Sequence, residues 1–182
     1  RAFTEAGGVL EMAQLWVNLP ARDKLCAPAY QAIVSAQIPR IALGDGAGDV
    51  RVIAGHYAGA QGPALTRTPM NVWDVKLNAE RSVAFDFSDG WTAVLVVLRG
   101  QVVAGGMRID APQAAQFSGP GTTITAHAEV DSQLLLLSGA PLDEPIAHYG
   151  PFVMNTRQEL LEAVEAFKRG DFQANSGASV PI

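Results

Sequence analysis

Short segments that alternate apolar and polar residues recur along this chain, and turn-forming residues interrupt each one. Val50, Val52, Ala54 and His56 fall on one side of a period-two stretch, with Arg51, Ile53, Gly55 and Tyr57 opposite. Trp73, Val75 and Leu77 alternate with Asp74 and Lys76, and Val83, Phe85 and Phe87 with Ser82, Ala84 and Asp86. Alternation at this period describes a strand with one face in a core. Thr92 to Leu98 and Gln101 to Ala104 flank Arg99-Gly100, which predicts a two-residue hairpin. Further strands are predicted at Ala114 to Phe117, Thr122 to His127 and Gln133 to Leu137. The 18 glycines and 11 prolines are spread between such segments. Many short antiparallel strands at this spacing predict an all-β sandwich or barrel.

One long helix is predicted. Thr156 with Glu159 has the capping-box form, in which hydroxyl and carboxylate satisfy free N–H groups. Leu160, Leu161, Val164 and Phe167 follow at helical spacing, Lys168 and Arg169 suit the negative end of the dipole, and Gly170 suits a left-handed cap. Residues 173–182 read as a mobile tail. Ala21 to Ile38, bracketed by Pro20 and Pro39, reads as a linker or crossing segment. Val9 to Leu19 is predicted as a strand, with Ala13, Leu15, Val17 and Leu19 on one face. Gln14 to Pro20 also echoes Gln133 to Pro141, as two domains ending in the same strand would, although two β-rich stretches can match by chance.

The chain has 182 residues, 48% of them hydrophobic and 17% charged, enough for one domain with a sizeable core and unlike a disordered chain. Apolar runs such as Val94 to Leu98 are too short to span a bilayer. A net charge of −5 argues against a surface built to neutralise phosphates, so neither a nucleic acid nor a membrane is expected as a partner. Cys26 is alone, so no internal disulfide can form, which suits a reducing cytoplasm.

Residues able to carry chemistry are few. His127 and Glu129 share one side of a strand, a spacing able to chelate a metal, and His56 is the available third ligand. The structural reading is the default, because no His-x-His accompanies them and His56 shares a face with Val50, Val52 and Ala54, where a core or cleft histidine is expected. His148 lies in a turn-rich segment. Cys26 has only Arg22 and Lys24 nearby and no evident base, so it reads as an inert thiol. Gly44 to Gly48 leads into a strand rather than a helix and lacks the Gly-Lys-Ser/Thr of a phosphate loop, so it reads as a turn. Asp86, Asp89 and Asp110 lie in or beside turns. Trp73, Phe85 and Trp91 would line a small-molecule cavity or pack as aromatic core.

Two stretches carry a family resemblance. Gly7 to Lys24 (GGVLEMAQLWVNLPARDK), with Tyr30-Gln31 after it, resembles the segment that closes the first domain of pirins. Glu144 to Thr156 (EPIAHYGPFVMNT), leading into the acidic helix, resembles their C-terminal signature. Gly62-Pro63, Thr68-Pro69, Asp74 to Leu77 and Leu135 to Pro141 fall between them in matching order.

The resemblance implies a cupin, a jelly-roll barrel of the double-stranded β-helix type, with one C-terminal α-helix. It implies a closing strand of an N-terminal cupin over 1–20, a linker over 21–39, the C-terminal cupin over 40–172 and a flexible tail over 173–182. Pirins hold a mononuclear non-haem iron in the first barrel through three histidines and a glutamate. Some are quercetin 2,3-dioxygenases and some are transcriptional co-regulators. Those ligands would precede Arg1, so no cofactor and no catalytic residue is expected within this chain, and iron is expected in the N-terminal domain. A degenerate metal site at His56, His127 and Glu129 is the alternative. The implied partners are an N-terminal cupin of the same or another chain, a protein partner, and a flavonol-like small molecule.

Overall fold

A computed structural model describes residues 5, 7–8, 11–118 and 121–171. Two antiparallel sheets face each other. The larger runs β1-β2-β5-β12-β7-β10, formed by Arg40–Leu43, Gly48–Ala54, Met70–Leu77, Ser132–Gly139, Thr92–Arg99 and Ala114–Phe117. The smaller runs β6-β11-β8-β9, formed by Arg81–Asp86, Thr123–Ala128, Gln101–Ala104 and Met107–Asp110. Two separate ribbons complete the β structure: β3 (His56–Tyr57) with β4 (Ala60–Gln61), and β13 (Ala147–Tyr149) with β14 (Phe152–Met154). The helix α1 covers Arg157–Arg169 and packs on β13 and β14. This is the all-β barrel with a C-terminal helix that the alternating strands predict, in the two-sheet form that the resemblance implies.

Period two places the core. Val50 and Val52, Trp73, Val75 and Leu77, Leu134 and Leu136, and Leu95 and Val97 turn inward from the larger sheet. Phe85, Val102, Ala104, Ala126 and Ala128 meet them from the smaller one. Close packing of such side chains excludes water and supplies the main driving force for folding.

The Arg99-Gly100 hairpin is not formed. β7 lies between β12 and β10, whereas β8 lies between β11 and β9, so the chain crosses from one sheet to the other at this point. Gly100 makes the step in the left-handed region at φ 79°, where a β-carbon would run into the Asp131 carbonyl and Ser132. The Ser132 hydroxyl fixes the corner, accepting from Gln101 N and sharing its one hydrogen between the Val130 carbonyl at 2.7 Å and the Gln101 carbonyl at 3.0 Å. The two-residue hairpin is instead β8–β9, through Gly105 and Gly106. Both have positive φ, 57° and 73°, as a loop matched to strand twist requires.

The segment predicted as a strand over Val9 to Leu19 pairs with no strand in its described part, residues 11–19. Its contact with the larger sheet is through side chains: Leu15 and Val17 lie beside Met70, Val72, Val94 and Leu137 on the outer face. A segment crossing the face of a sheet cannot use the hydrogen-bonding groups of an edge. Residues 21–39 hold two short 3-10 turns, Ala21–Asp23 and Ser35–Gln37, and otherwise irregular backbone. The tail expected over 173–182 lies outside the described residues.

Candidate functional site

The place to look for chemistry in a barrel of this kind is its interior, and here the interior is filled. Trp73 is 1% exposed and Phe85 fully buried. Trp73 meets Tyr57 edge-on at 5.0 Å between centroids, stacks on Phe87 at 5.6 Å and lies 6.0 Å from Phe85. These are ordinary aromatic core geometries. Trp91, the third residue predicted to line a cavity, is half-buried just before β7. The Trp73 Nε1 hydrogen finds no acceptor within the described residues, a defect of about 1–3 kcal/mol. Burial, with a smaller contribution from the nearby Asp86 carboxylate, raises the Tyr57 phenol above its ordinary pKa and keeps it neutral.

The three histidines lie outside that interior. His56 is exposed, contrary to the expectation of a core or cleft histidine. Gly55, at φ 76°, breaks the alternation, so the next inward residue is Tyr57, which packs against the core. The His56 N–H donates to Asn71 Oδ1 at 3.2 Å. His127 and Glu129 do share a side, but it is the outer one, since Ile124, Ala126 and Ala128 face in. His127 Nδ1 lies 2.9 Å from the Ser82 hydroxyl. Glu129 accepts from Gln101 Nε2 at 2.7 Å and lies 3.8 Å from Arg108. The pair is thus engaged by separate neighbours. Among the described residues, no group of three His, Cys, Asp or Glu side chains is placed to hold a metal. The apolar lining of this barrel does not fit an iron ion, which takes imidazole and carboxylate donors.

His148 is exposed on β13, Cys26 is a half-buried free thiol beyond the Ala21–Asp23 turn, and Gly44–Gly46 is a 3-10 turn joining β1 to β2. No helix among the described residues is long and apolar enough to cross a membrane.

The outer face of the larger sheet is the more distinctive surface. At one end Val72, Val94 and Leu137 form an apolar floor, crossed by Leu15 and Val17, in a groove of about 310 Å³. Further along, Arg51 donates to Asp74 at 2.8 Å and to Ser35 at 3.3 Å, and Gln133 donates to the other Asp74 oxygen at 3.1 Å. Period two marks Asp74 as a residue of the outer face. Its burial, at 8% exposure, depends on Arg51, Gln133 and the segment carrying Ser35, which no local pattern relates to it.

Residues 72–173 match the model of the pirin C-terminal cupin domain. A Pseudomonas aeruginosa protein with a provisional quercetin 2,3-dioxygenase name is 49% identical over 170 residues, covering 93% of this chain and 59% of that protein. A pirin-like protein of Caulobacter vibrioides is 39% identical over 161 residues, covering 87% and 58%. The chain therefore spans about three fifths of the length of these relatives. The crystal structure of a quercetin 2,3-dioxygenase from Acinetobacter baumannii superposes with a TM-score of 0.82 at 45% identity, over 86% of this chain and 55% of that one. With the match running from β5 through the helix, the chain belongs to the pirin family, and its barrel is a pirin C-terminal cupin.

Proposed function

We propose that this barrel is the metal-free partner of a preceding cupin that holds a non-haem iron. The intact protein would be an oxygenase of the quercetin 2,3-dioxygenase type or an iron-linked regulator. The observation that carries this reading is the filled interior: Trp73, Phe85, Leu95 and Leu136 are buried there and offer no imidazole or carboxylate to a metal. The quercetin 2,3-dioxygenase names of similar proteins support the oxygenase side. The apolar end of the outer face, half-covered by Leu15 and Val17, supports a docking role, because such surfaces mark interaction sites. The residues of this chain would then exclude water from, and shape, a cleft whose chemistry the iron of the preceding domain supplies.

Metal analysis and oxygen uptake with quercetin test this on the chain and on the longer protein that contains it. Iron and uptake are expected in the longer protein and neither in this chain. Quercetin-dependent uptake by this chain alone overturns the reading, and iron without uptake in the longer protein selects the regulator. A flavonol-binding barrel without catalysis is the rival. Packed Trp73 and Phe85 leave a flavonol only the outer grooves, and an unchanged melting temperature with saturating quercetin removes the rival.

A further inference from the structure

Glu144 joins two stretches that are 123 residues apart in sequence. Its Oε2 accepts the Ala21 N–H at 2.7 Å and the Asn155 carboxamide at 3.0 Å. The same Asn155 nitrogen donates to the Pro145 carbonyl at 3.0 Å, and Asn155 N donates to Glu159 in the first turn of α1. Next to this junction Pro20 is fully buried. Lys24, held to Asn18 at 2.6 Å, adds to the field that keeps the Glu159 carboxyl ionised. Both stretches line one groove of about 570 Å³, Trp16, Leu19 and Leu25 from the first and Met154, Ala163 and Phe167 from the second.

The helix needs such a neighbour. Thirteen residues are too few for a stable isolated helix in water. Among the described residues, the ribbon it packs on pairs with no strand of either barrel sheet. Ala163 is the buried residue of α1.

We infer that residues 16–25 and the β13–β14–α1 unit fold and open together, as one cooperative element distinct from the barrel, and that Glu144 is the positioning residue coupling them. Residues 16–25 act as a strap that gives the ribbon and helix a further apolar layer, and the Glu144 carboxylate holds the strap in register. A partner or a load acting on residues 11–19 is then transmitted to the helix through this carboxylate. None of this depends on whether a preceding domain holds iron.

Ala21→Pro is the sharpest test. Pro20 is extended at ψ 156°, as a residue before proline should be, and Ala21 opens a 3-10 turn, where a proline fits. The substitution therefore removes the donor to Glu144 with little other change. Hydrogen–deuterium exchange on the chain should accelerate about five- to tenfold in both 16–25 and 157–169, as expected for loss of one solvent-exposed hydrogen bond. Exchange in β5 and β12 should not change. Glu144→Ala removes the same acceptor together with that of the Asn155 carboxamide, and should accelerate the same two stretches at least as much. Acceleration in one stretch without the other overturns the inference, as does no change in either. Faster exchange in β5 and β12 with both variants also overturns it, because the element would then be inseparable from the barrel.

Discussion

The barrel and the hairpin–helix unit beside it are held together by different means. In the barrel, inward residues from two sheets reach complete burial, and polar groups are few. In the unit, Leu161 is 52% and Phe167 60% exposed, and the order comes from directed bonds. Thr156 accepts from Glu159 N at 3.2 Å, Glu159 accepts from Thr156 N at 2.8 Å, and Gly170 closes the helix in the left-handed conformation. Area-driven packing is tolerant of solvent conditions and costly to perturb, whereas a few capping bonds are cheap to break and sensitive to pH. Damage to the barrel should therefore be global, and damage to the unit local.

The largest expected effect is in the barrel. Trp73→Ala opens a cavity among Tyr57, Phe85 and Phe87 and should cost about 3–5 kcal/mol in urea unfolding, with the whole barrel affected. Trp73→Phe sharpens the point. It loses volume but also removes an N–H that has no acceptor, so the cost should stay below about 1.5 kcal/mol. A loss for Trp73→Phe well above that bound would show that relief of the unpaired N–H does not offset the lost volume.

Asp74→Ala should rank second, at about 1–2 kcal/mol. It strips Arg51 and Gln133 of their shared acceptor on the outer face, and the partial exposure of Arg51 moderates the loss. Arg51→Ala combined with Asp74→Ala should recover part of this, measured as the coupling in a double-mutant cycle.

What the sequence made legible divides along the same line. The strands of the barrel are readable because Val50, Val52, Trp73, Val75 and Leu77 repeat at period two, and burial enforces that register. The helix is readable because both ends carry their capping residues. What misleads are places where one residue redirects the chain. Gly100 looks like a hairpin glycine, yet it turns the chain between sheets, while Gly105-Gly106 carries the stronger hairpin signal. Gly55 reverses the alternation and expels His56. The His127 and Glu129 spacing is a correct reading of one strand face, but spacing cannot say which face is inside. Glu144 lies within a stretch that carries the family resemblance, but its partner Ala21 is too distant for any local pattern to suggest.

Thr156→Ala should remove the cap and cost the unit about 1 kcal/mol. The readout is faster amide exchange through α1 and residues 16–25 together, with the barrel's urea midpoint unchanged. A shift of that midpoint by the full amount would mean that the two regions unfold as one.

The smallest effect expected is a response to pH, and its sign follows from Glu159. Hydrogen bonding with Thr156, through side chain and then backbone, holds this carboxyl below its ordinary value, with smaller help from the Asn155 N–H and the charge of Lys24 and a small opposing contribution from desolvation. In the unfolded chain the same group has a pKa of about 4.3. A carboxyl depressed on folding stabilises the folded state fully above its unfolded pKa and loses that contribution as pH falls through the folded one. The start of α1 should therefore be firm at pH 6 and loosen below about pH 4, seen as chemical-shift changes at Asn155, Thr156 and Glu159. Glu159→Gln cannot ionise and should flatten that response while leaving the shifts of β5 and β12 as they are. If the wild-type chain shows the same acid loosening as Glu159→Gln, the capping carboxylate is not its source, and the sharp division between a packed barrel and a bond-held helix loses its pH signature.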